Sequence, residues 1–537
     1  MLCSATSATP ALLCHRPQPV PESLQDDQKS LHERVAVLGQ PRQRHVDHRG
    51  DVGRPAQPGG GPIGNDQGND DAAEARPGQT RLEAEAHIEA GALSRRIRTG
   101  KWAALSQPWL DGAREEWPNR RPSVSRATVE TRPMTSVRMP SSRPPSRWAN
   151  LFTDRPVTCI EDLRQLAEWR VPRMFYDYAD SGSYTESTYR ANESDFGRIK
   201  LRQRVAVDMT NRTLASTMVG QPVAMPVALA PTGLTGMQHA DGEILAARAA
   251  AKAGVPFTLS TMSICSIEDV AENTDKPFWF QLYVMRDRAF IDKLIDRAKA
   301  AGCSALVLTL DLQILGQRHK DIKNGLSTPP KLTVGNILDM ATKPRWSINM
   351  LRTHRRTFRN IVGHATGVSN LSSLSSWTAE QFDPTLNWDD VRRIRDRWGG
   401  KLILKGILDP EDAVMAADTG ADALIVSNHG GRQLDGAISS IAALPAIVEA
   451  VGDRIEVLMD GGIRSGQDVV KALALGAKGT FIGRAFLYGL GAGGEAGVAQ
   501  CLEIIRKEMD VTMAMCGLRD IKDVTANILA GKPNFGV

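Results

Sequence analysis

The chain has 537 residues, 42% hydrophobic and 24% charged, with 66 lysines and arginines against 61 acids for a net charge of +5. So small an excess over such a length argues against a nucleic-acid partner, and no apolar run nears the roughly 20 residues that span a bilayer. Seven scattered cysteines, odd in number and without a Cys-x-x-Cys pair, argue for reduced thiols in a cytoplasm and against a disulfide framework or zinc site.

Residues 1–150 differ in kind from the rest. Pro, Gly, Arg, Asp and Gln dominate, as in Gly59-Gly60-Gly61-Pro62-Ile63-Gly64-Asn65-Asp66, and apolar residues keep neither a period of 2 nor of 3.6. Such a segment cannot offset its ordering entropy by burial, which predicts a disordered extension with one weak helix over Thr80–Ala92. The apolar core Ala11-Leu12-Leu13-Cys14 is too short for a signal peptide. An internal methionine, Met134 or Met139, is the expected biological start, with the upstream stretch an artefact of start-site choice.

From residue 156 the pattern changes. A helix over Cys159–Trp169 leads into eight apolar strand candidates: Met225–Ala230, Pro256–Ser260, Trp279–Val284, Ala305–Leu310, Lys401–Lys405, Ala423–Ser427, Ile455–Asp460 and Gly479–Gly483. Stretches of helical period lie between most of them, among them Ile244–Ala253, Phe290–Ala301, Pro410–Thr419 and Gly466–Leu475. Short buried strands, each followed by a helix, predict an α/β fold of the (β/α)8 (TIM) barrel type over 156–537. A doubly wound open sheet rarely needs eight such units, and no Gly-x-Gly-x-x-Gly follows the first strand.

A barrel carries its chemistry at the C-terminal ends of its strands. Polar residues gather there: Gln281 and Tyr283, Thr309 and Asp311, Lys405, His429, Asp460, then Gly483-Arg484. The run Ser427-Asn428-His429-Gly430-Gly431-Arg432-Gln433 joins an imidazole, a base near neutral pH, to a guanidinium fork that binds carboxylates; that pairing suits proton removal from an anionic substrate. The glycines of Asp460-Gly461-Gly462-Ile463-Arg464-Ser465-Gly466, with Arg464 and Arg484, suit a phosphate at the last two strands. Asp460 suits hydroxyls of a sugar or ribityl chain. Lys405 at a buried strand end requires a partner, either an electron-rich ligand edge or a barrel carboxylate.

These segments, with Tyr176-Asp177-Tyr178-Ala179-Asp180-Ser181-Gly182, Ala230-Pro231-Thr232-Gly233, Phe280-Gln281-Leu282-Tyr283-Val284, Leu308-Thr309-Leu310-Asp311 and Leu404-Lys405-Gly406, resemble the FMN-dependent α-hydroxy-acid dehydrogenase/oxidase family over about seven tenths of the chain. The resemblance implies FMN as cofactor and oxidation of an L-2-hydroxy acid, L-lactate first among the candidates, to the 2-oxo acid. It implies His429 as the base, with Asp311 stabilising its imidazolium. Tyr178, Arg318 and Arg432 would hold the substrate carboxylate, and Tyr283 would face the hydroxyl. Ser260, Gln281, Thr309 and Lys405 would contact the flavin ring; Asp460, Arg464, Gly483 and Arg484 would serve the ribityl phosphate. Pro231, Thr232, Gly233, Ser427, Gly461 and Gly462 complete the cofactor set. A homo-oligomer, tetrameric in the family pattern, and a quinone or cytochrome-type electron acceptor follow from the same likeness, as do rival readings as an oxygen-using oxidase or a mandelate-type dehydrogenase.

Three departures qualify the likeness. Gly233 stands where the oxidases usually carry alanine, which favours a dehydrogenase. Met262 replaces an aromatic residue typical of glycolate oxidases. The segment 329–388 is too long for a barrel loop. Its basic stretch 343–359, with arginines interleaved among Trp346, Met350, Leu351 and Phe358, suits an anionic membrane face, or a basic lid over the active site. The expected location is therefore cytoplasmic, with peripheral contact at the inner face of the cell membrane. The extension lacks a His-Pro-Gly-Gly haem motif, so no haem is expected.

Overall fold

The computed structural model describes residues 156–326, 333–365 and 381–536, all within the compact unit Ser136–Val537. The extension 1–150, its weak helix and both candidate starts lie outside the described residues.

Among the described residues, ten strands run in chain order: β1 (Ser216–Met218), β2 (Gln221–Val223), β3 (Val227–Leu229), β4 (Thr258–Ser260), β5 (Trp279–Tyr283), β6 (Ala305–Thr309), β7 (Lys401–Ile407), β8 (Ala423–Val426), β9 (Glu456–Asp460) and β10 (Gly479–Ile482). Among the described residues, β3 to β10 form one eight-stranded sheet in the order β3-β10-β9-β8-β7-β6-β5-β4, every neighbour parallel. A Leu229–Phe257 bridge brings β3 against the start of β4, and the Leu229 N–H donates to the Pro256 carbonyl at 2.9 Å. The sheet therefore closes into the expected barrel.

The helices are α1 (Ile160–Arg170), α2 (Arg173–Ala179), α3 (Ser187–Ser194), α4 (Thr235–Gln238), α5 (Gly242–Ala253), α6 (Ile267–Ala271), α7 (Arg288–Ala300), α8 (His319–Lys323), α9 (Val334–Ala341), α10 (Pro344–Arg352), α11 (Trp388–Trp398), α12 (Pro410–Asp418), α13 (Ser440–Val451), α14 (Gly466–Ala474) and α15 (Arg484–Met515). α7 illustrates why these segments are helical. Phe290, Ile291, Leu294, Ile295 and Ala298 bury one stripe, and the Asp287 side chain caps the first turn by accepting from Phe290 N–H.

Side chains pointing into the barrel change character along each strand. Trp279, Ala305, Val307, Ile403, Ala423, Ile425, Leu458 and Phe481 form the apolar interior. The next inward positions, two residues on, are Gln281 and then Tyr283 on β5, Thr309, Lys405, Ser427 and Asp460. The N-terminal mouth is plugged by a hairpin that sequence patterning misses, because β1 and β2 are too short to show a period. Its turn residues Val219 and Gly220 both have positive φ, and Met218, Val219 and Val223 pack into the interior cluster.

The long segment after β6 has structure of its own. Trp346 of α10 stacks on Phe175 at 5.4 Å and donates its indole N–H to the Met237 carbonyl at 2.9 Å. Its basic run divides in two. Arg355 pairs with Asp269 at 2.9 Å and Asp241 at 3.1 Å, and Arg359 with Asp269 at 3.2 Å, so these arginines are tied to barrel acids. The outward apolar surface lies earlier. α9 buries none of its side chains, and Leu338 and Leu351 are 63% and 73% exposed.

Candidate active site

A cavity of about 340 Å³ opens at the C-terminal ends of the barrel strands. Of the residues singled out from sequence, Tyr178, Pro231, Thr232, Gly233, Tyr283, Arg318, Lys405, His429, Arg432, Asp460, Gly461, Gly462, Arg464, Gly483 and Arg484 line it. Ser260, Gln281, Thr309, Asp311 and Ser427 are not in its wall; they lie alongside it, bonded to one another or to wall residues.

His429 sits three residues beyond the end of β8 with φ of +57°, a left-handed conformation that residues other than glycine adopt rarely. Its N–H donates to Ser427 Oγ at 3.1 Å, which helps to fix that turn. The ring Nδ1 meets Asp311 Oδ1 at 2.9 Å, so Nε2 is the ring nitrogen that this contact leaves available. Asp311 reaches it because Gly406, with φ of +102°, makes an irregular step in β7. A side chain at Gly406 would strike Asp311 Cγ at 2.6 Å. Burial opposes ionisation of Asp311, but the adjacent His429, and then Lys405, outweigh it and hold the carboxyl below its usual range.

Two guanidiniums converge on Tyr178. Arg432 lies over its ring at 4.7 Å and Arg318 at 5.9 Å. Arg432 donates to the carbonyls of Tyr178 at 2.6 Å and Ser181 at 3.1 Å; Arg318 pairs with Asp321 at 2.6 Å. Burial, then the like charge of Arg318, lower the Arg432 pKa to about 10. An anion between the two relieves both effects, which is the electrostatic setting for a carboxylate. Burial, and then nearby Tyr178 and Asp311, raise the Tyr283 pKa well above the ordinary phenol value. Tyr283 therefore stays a neutral hydrogen-bond donor.

Lys405 donates to Ser427 Oγ at 2.8 Å and pairs with Asp460 Oδ2 at 3.0 Å, so the barrel-carboxylate partner considered from sequence is present. Burial favours the neutral amine, but Asp460 and Asp311 outweigh it and keep Lys405 cationic. Beside it a buried chain runs from Ser260 through Gln281 to Thr309, with links of 3.0 Å each. Asp460 Oδ1 is buried without a hydrogen-bond partner among the described residues. An orphan acceptor on this wall suits a ligand hydroxyl. Past β9 the chain turns through Gly462 (φ +83°), where a side chain would overlap the Asn192 carbonyl oxygen at 1.8 Å. Lys405, the amide and hydroxyls, the orphan carboxylate oxygen and the arginines Arg464 and Arg484 fit a flavin mononucleotide: ring, ribityl chain and phosphate in turn.

Sequence patterning misses several residues of the cavity wall. Phe175, Met237, Arg356, Phe358, Phe382 and Leu487 all line it, and Phe382 packs edge-on against Tyr283 at 6.0 Å. Phe358 and Arg356 come from the basic run, so the lid reading of that stretch anticipates that it reaches the cavity, although nothing in the local pattern says which of its residues face inward.

Comparisons with known proteins agree with this geometry. A profile of the FMN-dependent dehydrogenase family matches residues 167–531. The L-lactate dehydrogenase of Caulobacter vibrioides (strain NA1000 / CB15N) is 49% identical over 375 residues, covering 70% of this chain and 98% of that protein. The enzyme of that name from Ectopseudomonas mendocina is 46% identical over 374 residues, with coverages of 70% and 98%. Among solved structures, the monotopic membrane protein (S)-mandelate dehydrogenase superposes with a TM-score of 0.67 at 38% identity, covering 70% of this chain and all of that one. A mandelate oxidase superposes with a TM-score of 0.60 at 36% identity, over 71% and 99%. The extent of these matches, joined to a barrel rim built for a flavin and an anionic substrate, places the chain in the FMN-dependent dehydrogenase family.

Proposed function

We propose that the protein oxidises L-lactate to the 2-oxo acid and delivers the electrons to a respiratory-chain acceptor of quinone or cytochrome type. The observation that carries this reading is the His429–Asp311 contact of 2.9 Å in a cavity shared with Arg318, Arg432 and Lys405. Arg318 and Arg432 hold the substrate carboxylate, and Tyr283 donates to the hydroxyl. His429 Nε2 removes a proton from the reacting carbon–oxygen unit, and Asp311 stabilises the imidazolium that results. Bound FMN supplies the acceptor for the equivalent of a hydride. Lys405 contributes a fixed positive charge beside the expected flavin ring, and Asp460 Oδ1, a buried acceptor without a partner among the described residues, would hold a ribityl hydroxyl. The relatives named L-lactate dehydrogenase support L-lactate as the first candidate. The apolar wall of Phe175, Met237 and Phe358, together with the mandelate enzymes among the structural relatives, supports (S)-mandelate as the second reading.

Anaerobic mixing of the yellow protein with a panel of L-2-hydroxy acids decides between them. L-Lactate should bleach the flavin fastest, and His429→Gln should keep the colour and lose the bleaching. Bleaching by mandelate but not by lactate reverses the order of substrates, whereas undiminished bleaching in the variant removes His429 as the base. Stoichiometric hydrogen peroxide under air would make oxygen the acceptor.

No helix among the described residues is long and apolar enough to cross a membrane. Peripheral contact is proposed instead, through the outward apolar side chains of α9 and α10 with Lys343, Arg345 and Arg352 around them. Leu338→Asp together with Leu351→Asp should abolish co-sedimentation with anionic vesicles at low salt; unchanged sedimentation rules this surface out.

A further inference from the structure

The sequence run around Tyr178 contains an acid, Asp180, that neither substrate binding nor proton transfer uses. Its side chain is 13% exposed, and it accepts three tyrosine hydroxyls. Tyr488 and Tyr189 donate to Oδ1 at 2.7 and 2.8 Å, and Tyr176 to Oδ2 at 2.9 Å. Two of those tyrosines lie under the arginines assigned to the phosphate. Arg484 sits over the Tyr189 ring at 4.4 Å and Arg464 over the Tyr488 ring at 5.7 Å. The backbone on either side of Asp180 completes the arrangement. The Ala179 carbonyl accepts from Arg484 Nε at 3.0 Å and the Ser181 carbonyl from Nη2 at 2.7 Å. One residue therefore orders both platforms with its side chain, while its neighbours orient one of the guanidiniums.

We propose that Asp180 is a positioning residue for the cofactor phosphate: by anchoring Tyr189 and Tyr488 it holds Arg484 and Arg464 toward the flavin's anionic end. This rests on the reading of those two arginines as phosphate ligands. Each ring face attracts the guanidinium above it, and the shared carboxylate fixes where each ring lies. The protonation states agree with this role. Burial favours the neutral acid, yet the hydroxyls of Tyr488 and Tyr189 and the charge of Arg484 hold the Asp180 carboxyl below its usual range. Burial pushes the Tyr189 phenol up to about 12 and the Tyr488 phenol well above its ordinary value, so both remain donors. Each guanidinium also has an anchor from another side: Arg464 pairs with Glu193 at 2.6 Å, and Arg484 donates to the Gly430 carbonyl at 3.0 Å.

The test compares two flavins that differ only in the phosphate. The full-length holoenzyme is stripped of flavin, and re-uptake of FMN or riboflavin is followed by fluorescence quenching in wild type, Asp180→Asn, the double variant Tyr189→Phe/Tyr488→Phe, and Arg484→Ala. The phenylalanines keep the rings and their packing, so that variant remains foldable if Asp180→Asn does not. Asp180→Asn and the double variant should weaken FMN about tenfold, in the range that cation–π contacts reach, and leave riboflavin unchanged. Arg484→Ala should also lower the FMN-to-riboflavin affinity ratio. Equal losses for both flavins, or no loss in either, overturn the positioning role while Arg484→Ala still discriminates. If Arg484→Ala also leaves the ratio unchanged, the phosphate assignment falls and takes the proposal with it.

Discussion

The lower and upper halves of one barrel interior are built from the same strands and behave as different materials. Ile403 and Lys405 are two residues apart on β7, Leu458 and Asp460 two apart on β9, and Ile425 and Ser427 stand in the same relation at the end of β8. Below, apolar side chains interlock and need only volume to match. Above, each buried polar group depends on a named partner: Lys405 on Asp460 and Ser427, Gln281 on Ser260 and Thr309, His429 on Asp311. The lower layers stabilise the cylinder, and its rigidity allows a costly polar layer one step higher. The atoms left over there, Asp460 Oδ1 and Asp311 Oδ2, belong to the upper layer, where a ligand is expected.

That contrast predicts which changes separate catalysis from stability. Among changes that leave His429 in place, the largest effect on rate should come from Asp311→Asn, which keeps the shape but removes the charge that orients His429. Turnover should fall about 10²- to 10⁴-fold, the range for a misdirected general base, as read by single-turnover flavin bleaching. A loss under tenfold would make Asp311 a packing residue. Lys405→Met should lower stability by about 3–5 kcal/mol, because it strands the buried Asp460 charge; urea unfolding of the flavin-loaded protein measures it, and flavin affinity should fall as well. One layer down, Leu458→Ala should lower stability by about 2–5 kcal/mol through the cavity it leaves, with flavin affinity unchanged. If Leu458→Ala weakens flavin binding as much as Lys405→Met does, the two layers are not separable.

The smallest effect is on the shape of the acid limb. Asp311 titrates below its ordinary value of 3.8 in the folded chain. Its contribution to stability is therefore full above that value and lost as the pH falls further. Melting temperatures measured down through the carboxyl range should drop less steeply for Asp311→Asn than for wild type. Leu458→Ala, which removes no titratable group, should shift the whole curve without changing its slope.

Much of this arrangement is legible along the chain, because parallel barrel strands are buried on both faces and read as short apolar runs ended by turns. All eight barrel strands fall within or beside their predicted spans. The ends differ by a residue or two; β7 runs on to Ile407, past the expected Lys405, because Gly406 admits an irregular step. Missed elements have local reasons. The β1–β2 hairpin is too short for a period, and the role of Phe358 or Arg356 in the cavity wall depends on where a long connection folds back.

The residue types and their strand-end positions, marked by short apolar runs and by the glycines and turns that end them, are properties of the chain itself. They determine that an acid, an imidazole, a lysine and several arginines must meet at one rim. Only the closed barrel decides who partners whom. Asp311 and His429, which follow β6 and β8, are brought within hydrogen-bond reach across the intervening β7, the basic run is split between barrel acids and the cavity mouth, and Asp180 comes to lie beneath two arginines some 300 residues away. Contacts of that kind are governed by through-space distance, to which no local pattern of residues is sensitive.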